Sequence, residues 1–564
     1  MSDRISISRK PETLERIRTL ALRHEEWLAG GLLFIWACYV FFRNITSYPV
    51  ETDEALYAAV GRQIARTNEW FRLEHEGAPF FYKPPLYFWL MAVAMRIFGE
   101  NDFAVRFPSA AFGLATTVLV YVAGKQLFSG RTALTAALIT ITTYNIVWLA
   151  PRGKMDVELG FWMNLAFLSF LLAYREKDRQ LGFLILSFLA MTIAALLKGP
   201  IGILLPGFAG LIYLLATRKH TLRVELPALA TGLTLTVGTA CAYYILLGPE
   251  FNRYFFFVEN LARITERSEP TLFYFYMIFV DLFPWSLFIP CAAFSLWKSG
   301  RLIPGTHEFT TLVWFLSFLL FLTLPSYKEE DFLVYLVPPF ALLMASSWQR
   351  DLSTPWFEAA PTNRCRRGAL ILLCVGIAVL LLTGPRILQM RFPGFPNVIR
   401  PAHAALGLAG LLVAICVALR CGTKAVFIAV CLVALTLTFG YIELFKPARG
   451  NYNKVKIIAD AIRSIVGDAP LALSHTQGSE ELLYYLDRRE PTRFVAPEEI
   501  QSYCRSEKKV FALLVEDVYE RIQSGSDLPI QKLADYSHRK WRLVLVENQG
   551  IKTARAARAD DSAR

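Results

Sequence analysis

The sequence predicts a polytopic α-helical membrane protein of about 13 transmembrane helices, followed by a small C-terminal α/β domain. Three observations support this fold class. The 564-residue chain is 54% hydrophobic and only 19% charged, which is too apolar for a soluble globule. Apolar runs of about 20 residues, the length that crosses a bilayer, recur along most of the chain. After residue 445 the chain becomes polar, with helix-like segments at 454–464, 480–487 and 516–522 and short apolar strands at 471–474, 510–515 and 542–546.

Thirteen apolar runs have the length expected of a membrane span. They lie near residues 27–43, 105–123, 131–150, 158–174, 181–197, 201–217, 226–247, 273–298, 308–325, 332–347, 368–384, 404–420 and 424–445. Another run, 86–98, is shorter and follows Pro84-Pro85. We therefore expect it to form a helix that lies on or dips into the outer face without crossing.

The charges of the loops predict the orientation. With thirteen spans, every loop on the N-terminal side of the membrane is basic, as the positive-inside rule requires of cytoplasmic loops. The loop 44–104 and the residues after 445 then lie on the periplasmic side. The predicted organisation is a cytoplasmic segment 1–26, a transmembrane catalytic domain 27–445, a periplasmic α/β domain 446–550 and a disordered tail 551–564.

Composition also excludes several function classes. The net charge is +12, but the Lys and Arg residues cluster between apolar runs, which argues against nucleic-acid binding. The nine cysteines show no C-x-x-C spacing and are interpreted as apolar packing residues. No Gly-rich phosphate loop follows a strand, so nucleotide use has no support. The first apolar run lacks a cleavage site of small residues, which favours a retained signal anchor.

The first outer loop carries the main candidate residues, in the segment "YPVETDEALYAAVGRQIARTNEW". Asp53 and Glu54 begin a predicted helix, where two acids are also simply favoured by the helix dipole. Tyr57 lies one turn later, and the loop returns to Tyr82 and Lys83. Acid, phenol and cation could therefore face one small volume.

Two more outer segments hold ionisable residues, which are costly near a membrane and so indicate function. In "APRGKMDVELGFW", Arg152 and Asp156 are four residues apart and are expected to share a helix face, either in a site or as a structural ion pair. Lys198, before Gly199-Pro200, is interpreted as the capping lysine of a tight turn.

The last two candidate segments lie later in the chain. The loop after the seventh span contains Arg263 and Arg267, and "LPSYKEEDFLVYLVPP" contains Lys328 and Tyr335. A solvated loop explains either segment equally well.

No nucleotide is available at the outer face of the membrane. The acids, lysines and arginines predicted there are therefore consistent with transfer of a sugar from a polyprenyl phosphate. The leaving lipid phosphate needs fixed cations or a metal, a role open to Lys83, Arg152 or Arg267. Asp53 could take the proton of an attacking hydroxyl, or hold a divalent ion if the acceptor is itself a phosphate.

The residues also resemble a known family. The stretches "TDEALYAAVGRQIARTNEWF", "PFFYKPPLYFW", "RFPSA", "APRGKMDVELGF", "LLKGPIGI", "FPW" and "YLVPP" occur in order between about residues 45 and 345. Together they resemble the bacterial aminoarabinose transferases and the wider protein-mannosyltransferase-like branch of the GT-C glycosyltransferases. The resemblance implies a GT-C fold with many membrane helices, an acidic first outer loop with interfacial helices, and a soluble outer domain.

The resemblance also implies residue roles. Asp53 would be the principal catalytic acid or metal-binding carboxylate, Lys83 would contact the donor phosphate, and Asp156 would be the second outer acid. The other residues expected to bind substrate are Glu54, Tyr57, Tyr82, Arg152, Arg263, Arg267, Lys328 and Tyr335. The chain departs from the aminoarabinose enzymes at Tyr82, where an acid is typical, at Glu269-Pro270, where a histidine is usual, and in the wider separation of Lys328 and Tyr335. The sugar, the acceptor and a divalent metal therefore stay open.

The expected function is an inverting glycosyltransferase of a bacterial inner membrane. It would use a polyprenyl-phosphate-linked sugar and an envelope glycolipid acceptor, lipid A or lipopolysaccharide, at the periplasmic face among membrane lipids. Transfer to protein is an alternative acceptor. A transporter or flippase would need charges deep within its helices, and an oligosaccharide ligase would keep its catalytic arginines in a late loop.

Overall fold

The computed structural model describes residues 10–217, 222–262, 269–353, 356–392, 394–397, 401–474, 479–488, 493–494, 499–506, 508–525, 530–538 and 541–548. Most of these residues are helical. Helices in the first half of the chain are Lys10–Phe42, Asp53–Thr67, Leu86–Phe98, Asp102–Leu127, Gly130–Ile141, Tyr144–Leu149, Asp156–Arg175, Lys177–Arg179, Gln180–Lys198, Ile201–Thr217, Leu222–Leu247, Pro249–Arg253 and Tyr254–Ala262. Those in the second half are Phe273–Asp281, Trp285–Phe288, Ile289–Lys298, His307–Thr323, Glu330–Leu336, Val337–Ser353, Trp356–Arg391, Pro401–Arg420, Thr423–Gly440, Tyr441–Phe445, Lys446–Tyr452, Val455–Val466, Ser479–Leu486, Ile500–Cys504 and Glu516–Gly525.

The helical part of the chain has the architecture of a multi-pass membrane protein. Within the described ranges, nine helices are long and apolar enough to cross a membrane, and a bent pair makes a tenth span. Three shorter apolar helices coincide with predicted spans: Gly130–Ile141, Ile201–Thr217 and His307–Thr323. The polytopic helical architecture is thus confirmed. The total of thirteen crossings stays a prediction, because length and composition alone identify these spans.

Two predicted spans are broken, and their breaks meet. The run 131–150 is interrupted at Thr142 and Thr143, and the run 273–298 bends by 110° between Asp281 and Trp285. The amide of Tyr144 donates to the carbonyl of Phe283 (2.9 Å), and Trp285 Nε1 donates to Thr142 Oγ1 (2.9 Å). Each break therefore supplies hydrogen-bond partners to the other, as backbone freed from helical bonding at membrane depth requires.

The first outer loop is built from two helices and a short hairpin. We call Asp53–Thr67 the outer-loop helix and Leu86–Phe98 the interfacial helix, after the positions that the sequence predicts for them. The two helices pack together, and a two-stranded hairpin lies between them in the chain (Glu74–His75 and Ala78–Pro79). The interfacial helix has 13 residues, too few for a full crossing. Gly61 allows the two helices to approach closely, because a Cβ there would lie 2.9 Å from Met91 Cβ.

A fully buried arginine closes the start of this loop. Arg106 donates to the carbonyls of Ile45 (2.6 Å), Tyr48 (2.9 Å) and Pro49 (2.9 Å). It also forms a two-bond pair with Glu54, at 2.5 and 2.8 Å. This single side chain therefore ties residues 45–54 to the helix Asp102–Leu127.

The C-terminal part is an α/β unit with a five-stranded mixed sheet. The strands are Leu471–Leu473, Arg493–Phe494, Phe511–Val515, Ile530–His538 and Trp541–Asn548. Leu471–Leu473 is parallel to both of its neighbours, Arg493–Phe494 and Phe511–Val515, whereas the last two strands form an antiparallel hairpin that extends the sheet. The strands predicted at 471–474, 510–515 and 542–546 are present, and so are the helices predicted at 454–464, 480–487 and 516–522. The predicted tail 551–564 lies outside the described residues.

The C-terminal unit sits directly on the first outer loop. We call its helix Ser479–Leu486 the docking helix, because it packs against the outer-loop helix. Around it, Arg66 pairs with Asp487 (2.8 Å) and Lys456 pairs with Asp102 (2.6 Å). The loop 44–104 and the C-terminal unit are therefore in direct contact at one end of the helical bundle. That this end faces the periplasm stays a prediction.

One expectation about the cysteines is wrong. Cys291 and Cys365 form a disulfide, with their Cα atoms 5.7 Å apart, instead of acting only as apolar packing residues. They are 74 positions apart in the chain. Spacing rules that search for close cysteine pairs could not find them.

Candidate active site

Asp53 presents its carboxylate at the outer end of the bundle. It is the first residue of the outer-loop helix, and its side chain is 57% exposed. Its acidic neighbours differ: Glu51 and Glu54 are buried in contacts with protein cations. Asp53 is therefore the acid of this segment that an incoming substrate can reach.

Lys154 connects Asp53 to a second outer segment. Its ammonium lies 3.1 Å from Asp53 Oδ2 and 3.2 Å from Asp331 Oδ2. Burial lowers the pKa of this lysine, but the charges of Asp331, Asp53 and Asp156 outweigh burial and raise it above its usual value. Lys154 is therefore a permanent cation among three carboxylates.

Asp156 is held by a lysine and a tyrosine. Its Oδ1 accepts hydrogen bonds from Lys198 Nζ (2.5 Å) and from the Tyr335 hydroxyl (2.5 Å). The Lys198 ammonium also lies over the ring of Phe332, 4.5 Å from its centroid. The sequence suggested that Lys198 only caps a tight turn. The structure instead places it in this polar cluster.

The expected pairing of Arg152 with Asp156 is wrong. The helix begins at Asp156, so Arg152 precedes it and the two residues share no helix face. Arg152 instead lies 3.3 Å from Glu51 and stacks over Trp148, 4.1 Å from the ring centroid. Arg449 also contacts Glu51, with Nε 3.1 Å from Oε1. Arg152 therefore helps to fix the segment before Asp53.

Glu54 supports the loop from inside. It is 3% exposed, and its carboxylate accepts hydrogen bonds from Arg106 and from the Gly153 amide (2.8 Å). Burial raises the pKa of Glu54, but the charge and hydrogen bonds of Arg106 and the hydrogen bond from Gly153 lower it by a larger amount, so the net pKa is below the usual value. These donors occupy the carboxylate. The geometry therefore favours a structural role for Glu54 over the expected contact with substrate.

Tyr57 is half-buried near several carboxylates. Its pKa is well above its usual value, first because of burial and then because of the negative charges of Asp53, Asp156 and Glu329. Burial likewise raises the pKa of Glu329, against the opposing charge of Lys198. The phenol of Tyr57 therefore stays protonated and remains a hydrogen-bond donor beside the acidic cluster.

Lys83 is paired with an acid from a distant segment. Its ammonium lies 3.0 Å from Glu259 Oε2, and both side chains are largely buried. Tyr82 is 45% exposed and packs edge-on against Tyr254, with ring centroids 5.2 Å apart. After the larger effect of burial, the negative charges of both Asp53 and Glu259 raise the pKa of Tyr57. That Lys83, Asp53 and Tyr57 face one small volume stays a prediction.

The other expected residues are distributed differently. Lys328 is buried and donates to the carbonyl of Pro325 (2.8 Å), which closes its own turn. Arg263 and Arg267 lie outside the described residues. Lys154 and Glu51 were missed, although Lys154 stands two positions before Asp156 in a segment already singled out. Basic and acidic residues alternate along this segment, from Arg152 and Lys154 to Asp156 and Glu158, and this pattern could have identified Lys154.

The donor set does not fit the divalent metal considered for Asp53. Across the described ranges, no group of three or more His, Cys, Asp or Glu side chains could hold a metal ion. The nearest partner of the Asp53 carboxylate is the ammonium of Lys154. Divalent ions in proteins take several oxygen ligands, and a fixed ammonium at this distance opposes that arrangement.

Comparison with known proteins supports the resemblance seen in the motifs. Residues 82–244 match the model of the dolichyl-phosphate-mannose-protein mannosyltransferase family. An undecaprenyl phosphate-α-4-amino-4-deoxy-L-arabinose arabinosyl transferase of Aeromonas salmonicida is 27% identical over 62% of this chain and 66% of its own length. The enzyme of the same name from Pseudomonas aeruginosa is 28% identical over 60% of this chain and 62% of its own length. The chain thus spans slightly less than two thirds of these curated relatives.

Two solved structures share the architecture of most of the chain. ArnT from Cupriavidus metallidurans bound to undecaprenyl phosphate superposes with a TM-score of 0.76 and 21% identity, covering 93% of this chain and 98% of that one. Its apo form gives a TM-score of 0.74 and 19% identity, covering 94% and 99%. This chain therefore has the GT-C fold of ArnT, and its resemblance to the protein-mannosyltransferase-like branch of that fold is confirmed.

Proposed function

We propose that this chain is an inverting glycosyltransferase of a bacterial inner membrane. It transfers a sugar from a polyprenyl-phosphate donor to an envelope glycolipid, lipid A or lipopolysaccharide, at the periplasmic face. The observation that carries the proposal is the exposed Asp53 carboxylate, set beside the fixed cation Lys154 at the outer end of a membrane bundle. The Cupriavidus metallidurans ArnT, which has the same fold, binds undecaprenyl phosphate.

The reaction requires two kinds of group, and both are present. The bond between the anomeric carbon and the phosphate oxygen breaks, so negative charge grows on the lipid phosphate and must be met by cations. Lys83, Lys154 and Lys198 are lysines at or near this outer end. Lys83 is assigned to the donor phosphate, which would compete with Glu259 for its ammonium.

The acceptor oxygen forms the new bond to the anomeric carbon from the opposite side, which inverts its configuration. If the acceptor is a hydroxyl, its proton passes to the Asp53 carboxylate. If the acceptor is a phosphate, it is already deprotonated, and Asp53 orients it through the neighbouring Lys154. Asp156 does not face the acceptor in this scheme; it fixes Lys198 and Tyr335.

The orientation is part of the proposal. A periplasmic site is supported by the basic loops on the other side and by the position of the C-terminal unit over the first outer loop. In a background whose free cysteines are replaced by serine, Ala78→Cys, at an exposed hairpin position, should react with a membrane-impermeant maleimide from the periplasm. Labelling only after the inner membrane is opened would overturn this orientation.

The Asp53→Asn variant tests the catalytic assignment. We expect sugar transfer to fall by about 10²- to 10⁴-fold, the range typical for loss of a general base, with normal membrane insertion. Asp460→Asn makes the same chemical change at a carboxylate that is 72% exposed in the C-terminal unit, and it should keep full activity. Transfer by Asp53→Asn within twofold of the unmodified chain would refute the assignment.

Mass spectrometry of envelope lipids and glycoproteins from cells with and without the chain identifies the acceptor. A sugar mass added to lipid A or lipopolysaccharide supports the proposal. The same mass on protein would instead support the alternative acceptor, which is the one named for the matched mannosyltransferase family. No change in either fraction, with altered lipid-linked sugar on one leaflet, would indicate a transporter.

A further inference from the structure

The backbone just before Asp53 has an unfavourable conformation. Thr52 has φ 44° and ψ −121°, a region that residues with a side chain rarely adopt. A non-glycine residue in such a region is strained and persists only when its surroundings hold it. The contacts of this segment therefore have to be strong enough to maintain that geometry.

Those contacts come from the C-terminal part of the chain. The amide of Thr52 donates to Oε1 of Glu481 on the docking helix (3.2 Å), and Glu481 is fully buried. The amide of Val50 donates to the Tyr485 hydroxyl (2.7 Å), on the same helix. Asn453 Nδ2 links the two sides, because it lies 3.3 Å from Glu51 Oε1 and 3.4 Å from Glu481 Oε2.

The residues on both sides of Asp53 are thus fixed, while its own carboxylate projects outward. Before Asp53, residues 50–52 are held by residues about 400 positions later in the chain. After it, Glu54 is held by Arg106. The outward direction of the Asp53 side chain follows from the turn at Thr52, which the docking helix sets.

We propose that Glu481 is a positioning residue for Asp53, so that the C-terminal unit forms part of the active site without touching substrate. This inference rests on the proposed function. Glu481 acts through the Thr52 amide: it holds the strained turn from which the outer-loop helix starts. The C-terminal unit is then required for turnover and is more than an appended domain.

Kinetic assays test this role, with undecaprenyl-phosphate-linked 4-amino-4-deoxy-L-arabinose as donor probe and lipid A as acceptor. We expect Glu481→Ala to lower kcat by about 10- to 100-fold, the effect of losing one hydrogen bond to a charged group, with the donor KM changed less than twofold. Glu481→Gln keeps an acceptor oxygen and should retain most of kcat. Glu480→Ala is the matched control, since Glu480 contacts His75 (2.9 Å) and not Thr52.

A second change separates positioning from general stability. Glycine adopts the Thr52 conformation without strain, so Thr52→Gly in the Glu481→Ala background should recover at least half of the lost kcat on a logarithmic scale. A merely structural role for Glu481 predicts an equal loss in Glu480→Ala and no recovery by Thr52→Gly. Either result would overturn the inference.

Hydrogen exchange measured by mass spectrometry gives a readout that does not depend on activity. In Glu481→Ala, peptides that contain residue 52 should exchange faster, whereas Glu480→Ala should leave them unchanged. Unchanged exchange in Glu481→Ala would refute the inference even if the chain transfers sugar as proposed. Faster exchange in a chain that transfers no sugar would instead refute the proposed function alone.

Discussion

Replacing Arg106 by methionine should open the first outer loop. The substitution removes a fully buried guanidinium that pairs with Glu54 at 2.5 and 2.8 Å and donates to the carbonyls of Ile45, Tyr48 and Pro49. Removal of one partner of a buried ion pair costs about 3–5 kcal/mol, because the other charge is left uncompensated. The open population of the loop should therefore rise by roughly 10²- to 10⁴-fold.

Limited proteolysis of the loop in detergent-solubilised protein measures this opening. The cleavage rate follows the open population when closing is faster than cleavage. Arg96→Met is the matched control, since Arg96 is exposed and bonds the carbonyl of Ala65 from the surface. The pair Arg106→Met with Glu54→Gln should be cleaved more slowly than Arg106→Met alone, because the stranded charge is gone. Equal cleavage of Arg106→Met and Arg96→Met would refute this account of the loop.

Two further predictions concern ion pairs on the outer side. Lys83→Ala should raise the donor KM by roughly 10- to 100-fold and should change the acceptor KM little. The reason is that the Lys83 ammonium, which lies 3.0 Å from Glu259, is assigned to the donor phosphate. Equal effects on both KM values in steady-state kinetics would argue against that assignment. Acid should release the docking helix near Asp487. Burial raises the pKa of Asp487, but the hydrogen bond from Arg66 lowers it by more, so the net pKa lies below the usual value. This contribution is present above the ordinary pKa of about 4 and is lost as pH falls through the lower folded value. The protection of the docking-helix amides, relative to the intrinsic exchange rate at each pH, should therefore fall only below about pH 4. In Asp487→Asn that fall should be absent.

Periodicity and length were sufficient for most of the membrane architecture. The run 86–98 shows why: its shortness and its two leading prolines predict a separate short helix without any tertiary information, and a 13-residue helix is present there. Local patterns also predict most of the C-terminal elements, but not Arg493–Phe494, Ile500–Cys504 or Ile530–His538. In Ile530–His538, polar residues hide the alternation of the strand. That strand forms because the hairpin with Trp541–Asn548 supplies its partner.

The pairings within the site could not be read from local patterns. Arg152 and Asp156 have helical spacing, yet the helix begins only at Asp156, so the true partner of Arg152 is Glu51, 101 positions away. The link between Thr52 and Glu481 spans 429 positions. Such contacts depend on how distant elements pack, which the spacing of residues in one segment does not encode.

The paired interruptions of two spans, at Thr142 and at Phe283, restrict how this bundle can be altered. Tyr144 donates its amide to the carbonyl that the bend exposes, so straightening either helix by itself would leave a polar group of the other facing hydrocarbon. The two irregularities form one inseparable joint. A shortened or redesigned version of this bundle would have to transplant both segments together, in register, or neither.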